Sequence, residues 1–172
     1  MLDSLLEKYG VKKFAKFAKY FSIFASLYFM LCAVTERAYK LGLIDIHLKL
    51  IPNENGIISS LLNPNYWVEL ISQVFFAIAI FNCATLFEKI STGEKFTNSM
   101  VIQLEAIGSN LFFGFIAAAF IQPFLIDLFR GVFHCCRIGF DNQNLLAGVM
   151  GALLFTIGKI GQKLRVELDE IV

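Results

Sequence analysis

The stretch FEKISTGEKFTNSM, residues 87–100, is polar, charged and rich in turn-forming residues, yet long apolar runs lie on both sides of it. Gly93 suits the left-handed residue that ends a helix. Thr97 or one of the two residues after it is placed to cap the next helix by accepting a backbone N–H. Phe96 between them is expected to lie back against a membrane surface. The stretch therefore predicts a tight hairpin, at residues 91–98, between two antiparallel helices.

The composition of the chain favours lipid over water as its surroundings. Of 172 residues, 57% are hydrophobic, 17% are charged and 19 are phenylalanine, whereas an average soluble protein has about 25% charged residues. A soluble domain of this size needs more polar surface to cover its core. The net charge of +1 provides no basic footprint for direct nucleic-acid binding.

Four windows lack Asp, Glu, Lys and Arg, and a helix needs about 20 residues (roughly 17–25) to cross the hydrocarbon layer. The windows have 16, 18, 21 and 17 residues, at Tyr20–Thr35, Leu70–Phe87, Ala106–Ile126 and Asn142–Gly158. Lysines next to the two shorter windows can extend those spans, because the aliphatic part of each side chain lies in the apolar layer while its ammonium group reaches water. We predict an all-α integral membrane protein, a four-helix transmembrane bundle forming one domain over 1–172. Its spans are placed at about 17–35, 70–90, 103–126 and 142–161.

The first window has a rival interpretation as a cleaved signal peptide. The basic amphipathic segment before it, residues 1–19, is long for such a signal, and YFMLCAVTE (28–36) lacks a small-x-small cleavage site. Cys32 follows Leu31 and not a small residue, so a lipoprotein signal also fits poorly. We expect this helix to be retained.

Positive charge near the ends of the spans predicts their orientation. Ten of the 15 lysines and arginines lie in the N-terminal segment, in or next to the hairpin, or near the C-terminus. The other five belong to the loops 36–69 and 127–141. With an even number of spans both termini share a face. We therefore place the termini, the hairpin and the tail 162–172 in the cytoplasm.

The two outer loops carry patterns typical of half-buried strands. Apolar and polar residues alternate in IDIHLKLI (44–51), turn-forming residues follow directly, and a weaker alternation runs through 132–140. We expect the two segments to pair into a small extracytoplasmic β element. A lone two-stranded ribbon is marginal in water, so this element would lie on the helix ends.

Residues with site chemistry are sparse. The adjacent cysteines of His134–Cys136 lack metal-ligand spacing, so we expect packing or free thiols, with redox or metal chemistry as alternatives. Glu36 and Glu69 are interpreted as solvated flanks. The chain has no Gly-rich phosphate loop and no HExxH motif, and its spans are expected to hold no buried ionisable residue of the kind proton relays need. We expect no catalytic, cofactor-binding or metal-binding residue, and no enzyme activity.

Polar and small residues within the spans predict how the helices pack. Asn82 and Asn110 lie equally far from the hairpin centre, so their amides either bond to each other across the helices or bond within their own helix or to water. Ala147 and Gly151 form a small-xxx-small pair, which we interpret as packing within one bundle, with a homodimer as the alternative. Pro123 is expected to kink the third span and free a carbonyl one turn earlier.

The hairpin and the tail together resemble a known pattern. FEKISTGEKFTNSMVIQLEAIG (87–108) is similar to a motif carried here by Phe87, Gly93, Phe96, Thr97, Leu104, Ile107 and Gly108. The tail is similar to a closing pattern carried by Gly161, Leu164, Glu167, Ile171 and Val172, and departs from it at Asp169 and Glu170. With its length and four spans, the chain resembles the bacterial membrane family catalogued as domain of unknown function 2975.

The resemblance implies a multi-pass protein of the bacterial cytoplasmic (inner) membrane without an assigned activity, whose relatives' genes often accompany small helix-turn-helix regulators. We therefore expect a non-enzymatic interaction or regulatory partner of a cytoplasmic protein. The cytoplasmic hairpin and the C-terminal helix would hold or modulate this partner. The tail would form a charged docking surface at the membrane through Lys159, Lys163, Arg165, Glu167, Asp169 and Glu170, with a merely solvated helix end as the alternative. Two other functions stay open: immunity against a membrane-active toxin, and a small-solute exporter or channel.

Overall fold

The protein is built from four long helices. The computed structural model describes residues 10–40, 64–93, 97–131, 138–139 and 141–171. Helix α1 is Val11–Lys40, α2 is Pro64–Thr92, α3 is Asn98–Phe129 and α4 is Asn142–Ile171. All four are long and apolar enough to cross a membrane, which confirms the predicted all-α, four-span fold.

The predicted β element falls almost entirely outside the described residues. Residues 44–51 are not among them, and of 132–140 only Ile138 and Gly139 are described, both without regular secondary structure. Within the described part of the chain there is no strand. The β element stays a prediction.

The helices pack in the order of the sequence, each antiparallel to the next. Lys19 of α1 pairs with Glu88 of α2 at one end, and Arg37 of α1 pairs with Glu69 of α2 at the other. We call the first end, which also carries Gly10 and the α2–α3 hairpin, the terminal end. The opposite end is called the loop end.

The helices are longer than the predicted spans. Helices α1 and α4 have 30 residues each, or about 45 Å at 1.5 Å per residue, against a hydrocarbon layer of about 30 Å. Parts of the predicted loop 36–69 are therefore helical, as are residues 162–171 of the predicted tail. Charged residues end an apolar window without ending a helix, because Lys, Arg and Glu have good helix propensity.

Helix α1 packs on α2 through small residues. Ala15, Ser22, Ser26 and Ala33 are buried along one face of α1, and the Ser26 hydroxyl donates a hydrogen bond of 2.9 Å to the backbone carbonyl of Ala77. A polar bond between helices in lipid contributes about 0.6 kcal/mol on average. Small residues thus bring the two backbones close enough for the bond to form.

The faces of α1 and α4 that point away from the other helices are apolar. On α1 the exposed side chains include Phe17, Tyr20, Phe21, Phe24, Leu27, Tyr28 and Leu31. On α4 they include Leu145, Leu146, Val149, Met150, Leu153, Ile157 and Ile160. Soluble monomers rarely expose contiguous apolar surface of this extent. Hydrocarbon is the environment that suits both faces.

Glycines bring α3 and α4 into backbone contact. A Cβ atom built on Gly108 would lie 2.3 Å from the backbone nitrogen of Phe155, and one built on Gly151 would lie 2.6 Å from the backbone nitrogen of Phe112. Further glycines of α4 lie directly against side chains of α3. We call the set the glycine seam: Gly108, Gly148, Gly151, Gly158 and Gly161.

Helix α3 widens to a π-helix at Ala117–Ile121, where the N–H of Gln122 donates to the carbonyl of Ala117. Pro123 has no N–H to offer the carbonyl of Ala119, one turn earlier. The backbone N–H of Gly139 donates to that carbonyl instead, at 3.1 Å. The segment after α3 is therefore joined to the irregular turn, and π-helical turns of this kind are frequent at functional sites.

Candidate functional site

A polar cavity of ≈ 340 Å³ lies at the loop end, beside the π-helical turn. Helices α1, α2 and α3 all contribute to its wall. Its polar lining residues are Arg37, Glu69, Gln122, Asp127 and Arg130, and its other lining residues are Ala118, Pro123, Ile126 and Gly139. The cavity thus collects most of the charged side chains described at this end.

An ion pair and an amide join three helices at this cavity. The guanidinium of Arg37 pairs with the carboxylate of Glu69, and these side chains are only 18% and 29% exposed. The side-chain amide of Gln122 donates to the backbone carbonyl of Glu69 at 3.0 Å and to the hydroxyl of Ser72 at 2.8 Å. Glu69 is therefore a tethered, half-buried group, and its interpretation as a solvated flank is wrong.

Asp127 is the most deeply placed carboxylate of this cavity, with the residue 9% exposed. It lies near the end of α3, on the same cavity wall as Arg130. Two cationic and two anionic side chains line the space, so its formal charge is balanced. Such a lining can bind a small solute that carries both a positive and a negative group.

A second cavity, of ≈ 390 Å³, lies at the terminal end between α1 and the last turn of α2. We call it the lysine cavity. Its lining residues are Lys12, Lys13, Lys16, Lys19, Tyr20, Glu88, Ser91 and Thr92. The ammonium of Lys19 donates to the Glu88 carboxylate at 2.7 Å.

A half-buried carboxylate also joins α3 to α4 at the terminal end. Glu105, whose side chain is 19% exposed, accepts from the ammonium of Lys159 at 2.6 Å and from the amide of Gln162 at 2.7 Å. Lys159, a residue of the predicted docking surface, thus joins α4 to α3 while its side chain stays 53% exposed. Within the predicted third span, 103–126, Glu105 is half-buried, and the buried Asp127 lies one residue beyond the end of that span.

The hairpin residues singled out in the sequence are partly described. Gly93 has φ of +77°, the left-handed conformation that ends α2, and the side chain of Lys12 lies against it. Thr97 is at the N-cap position of α3, but its hydroxyl pairs with that of Ser99 at 2.8 Å and caps no backbone N–H. Phe96 lies outside the described residues.

Of the two alternatives for the asparagine amides, Asn110 follows the bond within its own helix. The amide of Asn110 donates to the carbonyl of Ala106 in its own helix at 2.7 Å, while Asn82 is half-buried on α2. One of the hydrogen bonds between α2 and α3 runs from the hydroxyl of Thr85 to the side-chain oxygen of Gln103, at 2.9 Å.

The glycines predicted on α4 lie at its contact with α3. Gly151 is buried, and Ala147 is half-buried beside it. Gly161 contacts Val101 of α3, with its built Cβ 3.3 Å from a Val101 methyl group. Glu167 belongs to helical backbone, and its side chain is not described.

Metal-binding clusters are absent from the described residues: no three or more His, Cys, Asp or Glu side chains converge there. Cys32 and Cys83 are free thiols within the spans. His134–Cys136 lies outside the described part, so its chemistry stays a prediction.

The fold defines the class: an all-α membrane protein with four helices long and apolar enough to span the bilayer. No family model, no curated protein and no solved structure matches the chain. The family resemblance therefore stays a prediction that rests on the hairpin and tail motifs.

Proposed function

We propose that this protein is a non-enzymatic interaction or regulatory partner of a cytoplasmic protein, held in a bacterial inner membrane with both termini in the cytoplasm. The observation that carries the proposal is the length of α4, which continues to Ile171, ten residues beyond the predicted end of the span at 161. These ten residues correspond to about 15 Å of helix. They form a helical stalk at the terminal end, rich in both signs of charge.

The base of the stalk is fixed to the bundle. Glu105 holds Lys159 and Gln162 at the point where the stalk leaves α3, and Gly158 lies against the backbone of Glu105. A soluble partner bound to the stalk would therefore be held at a defined place beside the membrane. Lys163, the first charged residue beyond this point, is exposed.

Removal of the stalk is expected to abolish capture of the partner. The experiment is cross-linking in intact membranes followed by purification under denaturing conditions, with the full chain and with a variant that lacks residues 163–172. We expect a cytoplasmic protein to be recovered with the full chain and lost with the truncated one, because the charged helix turns supply the contact.

The matched control is a variant that keeps the stalk and alters the loop end, Arg130→Gln, which should recover the same protein. The proposal is contradicted if the truncated variant recovers the same cytoplasmic protein as the full chain, or if neither recovers one while both are present in the membrane in equal amounts.

The loop-end cavity favours a small-solute exporter as a second candidate function. The supporting observation is its balanced set of charged side chains around the nearly buried Asp127. Buried ionisable groups near a span are costly and commonly mark substrate pathways. Accumulation of a solute in cells that lack the protein would favour this function over a regulatory one.

A further inference from the structure

We propose that the lysine cavity binds the phosphate headgroup of an anionic phospholipid. Lys12, Lys16 and Lys19 follow one another at intervals of one helical turn and so share a face of α1. That face forms one wall of the ≈ 390 Å³ space, and the end of α2 forms the other.

The charges in this cavity favour an anion. Lys19 is engaged with Glu88, the carboxylate of the wall, whereas Lys12, Lys13 and Lys16 are exposed. These three ammonium groups carry charge that the described wall does not balance. A phosphate group accepts several such hydrogen bonds at once.

Part of the negative charge on the opposite wall is neutralised, because the Glu88 carboxylate pairs with Lys19. Carbonyl groups at the end of a helix carry partial negative charge. Two of them accept hydrogen bonds here: the hydroxyl of Ser91 donates to the backbone carbonyl of Glu88 at 2.7 Å, and the hydroxyl of Thr92 donates to the backbone carbonyl of Lys89 at 2.8 Å. These bonds cover part of the negative end of α2. The N-terminus of α1, which begins at Val11, adds partial positive charge next to Lys12 and Lys13.

The surroundings of the cavity identify a lipid as the source of the phosphate. Tyr20 lines the cavity and is also exposed, and the exposed rings of Phe17, Phe21 and Phe24 continue from it along α1. A headgroup in the lysine cavity would therefore have its acyl chains on an apolar, aromatic face. Lysine clusters at the end of a span are a common feature of anionic lipid recognition. This inference rests on the membrane fold and not on the proposed cytoplasmic partner.

The test uses the full chain in nanodiscs that contain equal amounts of phosphatidylglycerol and phosphatidylcholine, followed by native mass spectrometry of the retained lipids. The test variant is Lys12→Gln/Lys16→Gln. The matched control, Lys163→Gln/Arg165→Gln, removes the same charge from the same end of the bundle. We expect preferential retention of phosphatidylglycerol by the original chain and by the control. In the test variant the preference for phosphatidylglycerol should fall roughly 25-fold, since each lysine near an anionic membrane contributes about a factor of five to binding.

A further variant, Lys12→Arg/Lys16→Arg, keeps the charge and should keep the lipid, which separates lipid binding from helix packing if the glutamine variant folds poorly. Equal retention by the test variant and its control would overturn the proposal. So would equal retention of both lipids by the original chain, or displacement of the bound lipid by millimolar inorganic phosphate, which would indicate a site for a free anion. Loss of lipid selectivity in the arginine variant would also contradict it.

Discussion

Replacement of Gly151 by leucine is expected to separate α3 from α4 and to abolish the folded protein. The Cβ of any side chain at this position would lie 2.6 Å from the backbone nitrogen of Phe112 and 2.8 Å from the backbone carbonyl oxygen of Gly108. Backbone atoms cannot move aside by changing a rotamer. Overpacking of a core commonly costs about 1–3 kcal/mol, and a clash of this kind lies at or above the top of that range. Size-exclusion chromatography in detergent, combined with thermal unfolding, measures the effect.

The control is Ala152→Leu, the neighbouring position on α4, which is exposed. It adds similar bulk on the lipid side, so its chromatographic profile should match that of the unchanged chain. Gly108→Leu should behave as Gly151→Leu does, because the two glycines face each other across the seam. If Gly151→Leu were as stable as Ala152→Leu, the packing of α3 on α4 described above would be wrong.

Replacement of Arg37 by methionine should destabilise the loop end by about 1–3 kcal/mol, since it leaves the half-buried carboxylate of Glu69 without its cation. Replacing both members, in Arg37→Met/Glu69→Leu, should restore most of that stability, because apolar side chains of similar volume often substitute well for a buried ion pair. Thermal unfolding is measured for both single variants and for the double variant. Analysed as a double-mutant cycle, the results give the interaction energy between Arg37 and Glu69.

Arg130→Met is the control for this cycle, because Arg130 lines the same cavity and is exposed. Its effect on stability should be small. A double variant no more stable than Arg37→Met alone would contradict the assignment of Arg37 and Glu69 as a structural pair. It would instead indicate that each residue acts separately at the cavity.

The four spans could be predicted from the sequence because the energetic cost of burying charge in lipid confines Asp, Glu, Lys and Arg to the ends of the apolar windows. The left-handed Gly93 could be predicted for a similarly local reason, since few other residues adopt a positive φ without strain. The close contact at Gly151 also follows from a short spacing of small residues. Each of these features is encoded within one helix or one turn.

The polar contacts could not be predicted, because they depend on the register between helices distant in sequence. Arg37 and Glu69 meet only because α1 continues to Lys40 and α2 begins at Pro64, and the charges that end the windows had suggested shorter helices. Likewise, Thr85 bonds to Gln103 where Asn82 and Asn110 had been considered, since a small rotation of either helix decides which polar groups face each other. The sequence feature that could have indicated the loop-end cavity is the set of charged residues next to the apolar windows.

The most direct measurement of the central claim, four crossings of the membrane with both ends on the cytoplasmic side, is a topology map of the full chain. It uses paired reporters, one active only in the cytoplasm and one active only outside it. They are inserted at 94–96 between α2 and α3, at 41–63 and 132–137 within the two predicted outer loops, and at both termini. We expect the cytoplasmic reporter to be active at the hairpin and both termini, and the other reporter to be active in both loops. Activity of the two termini on opposite faces of the membrane, or of the hairpin on the same face as the loops, would contradict the account.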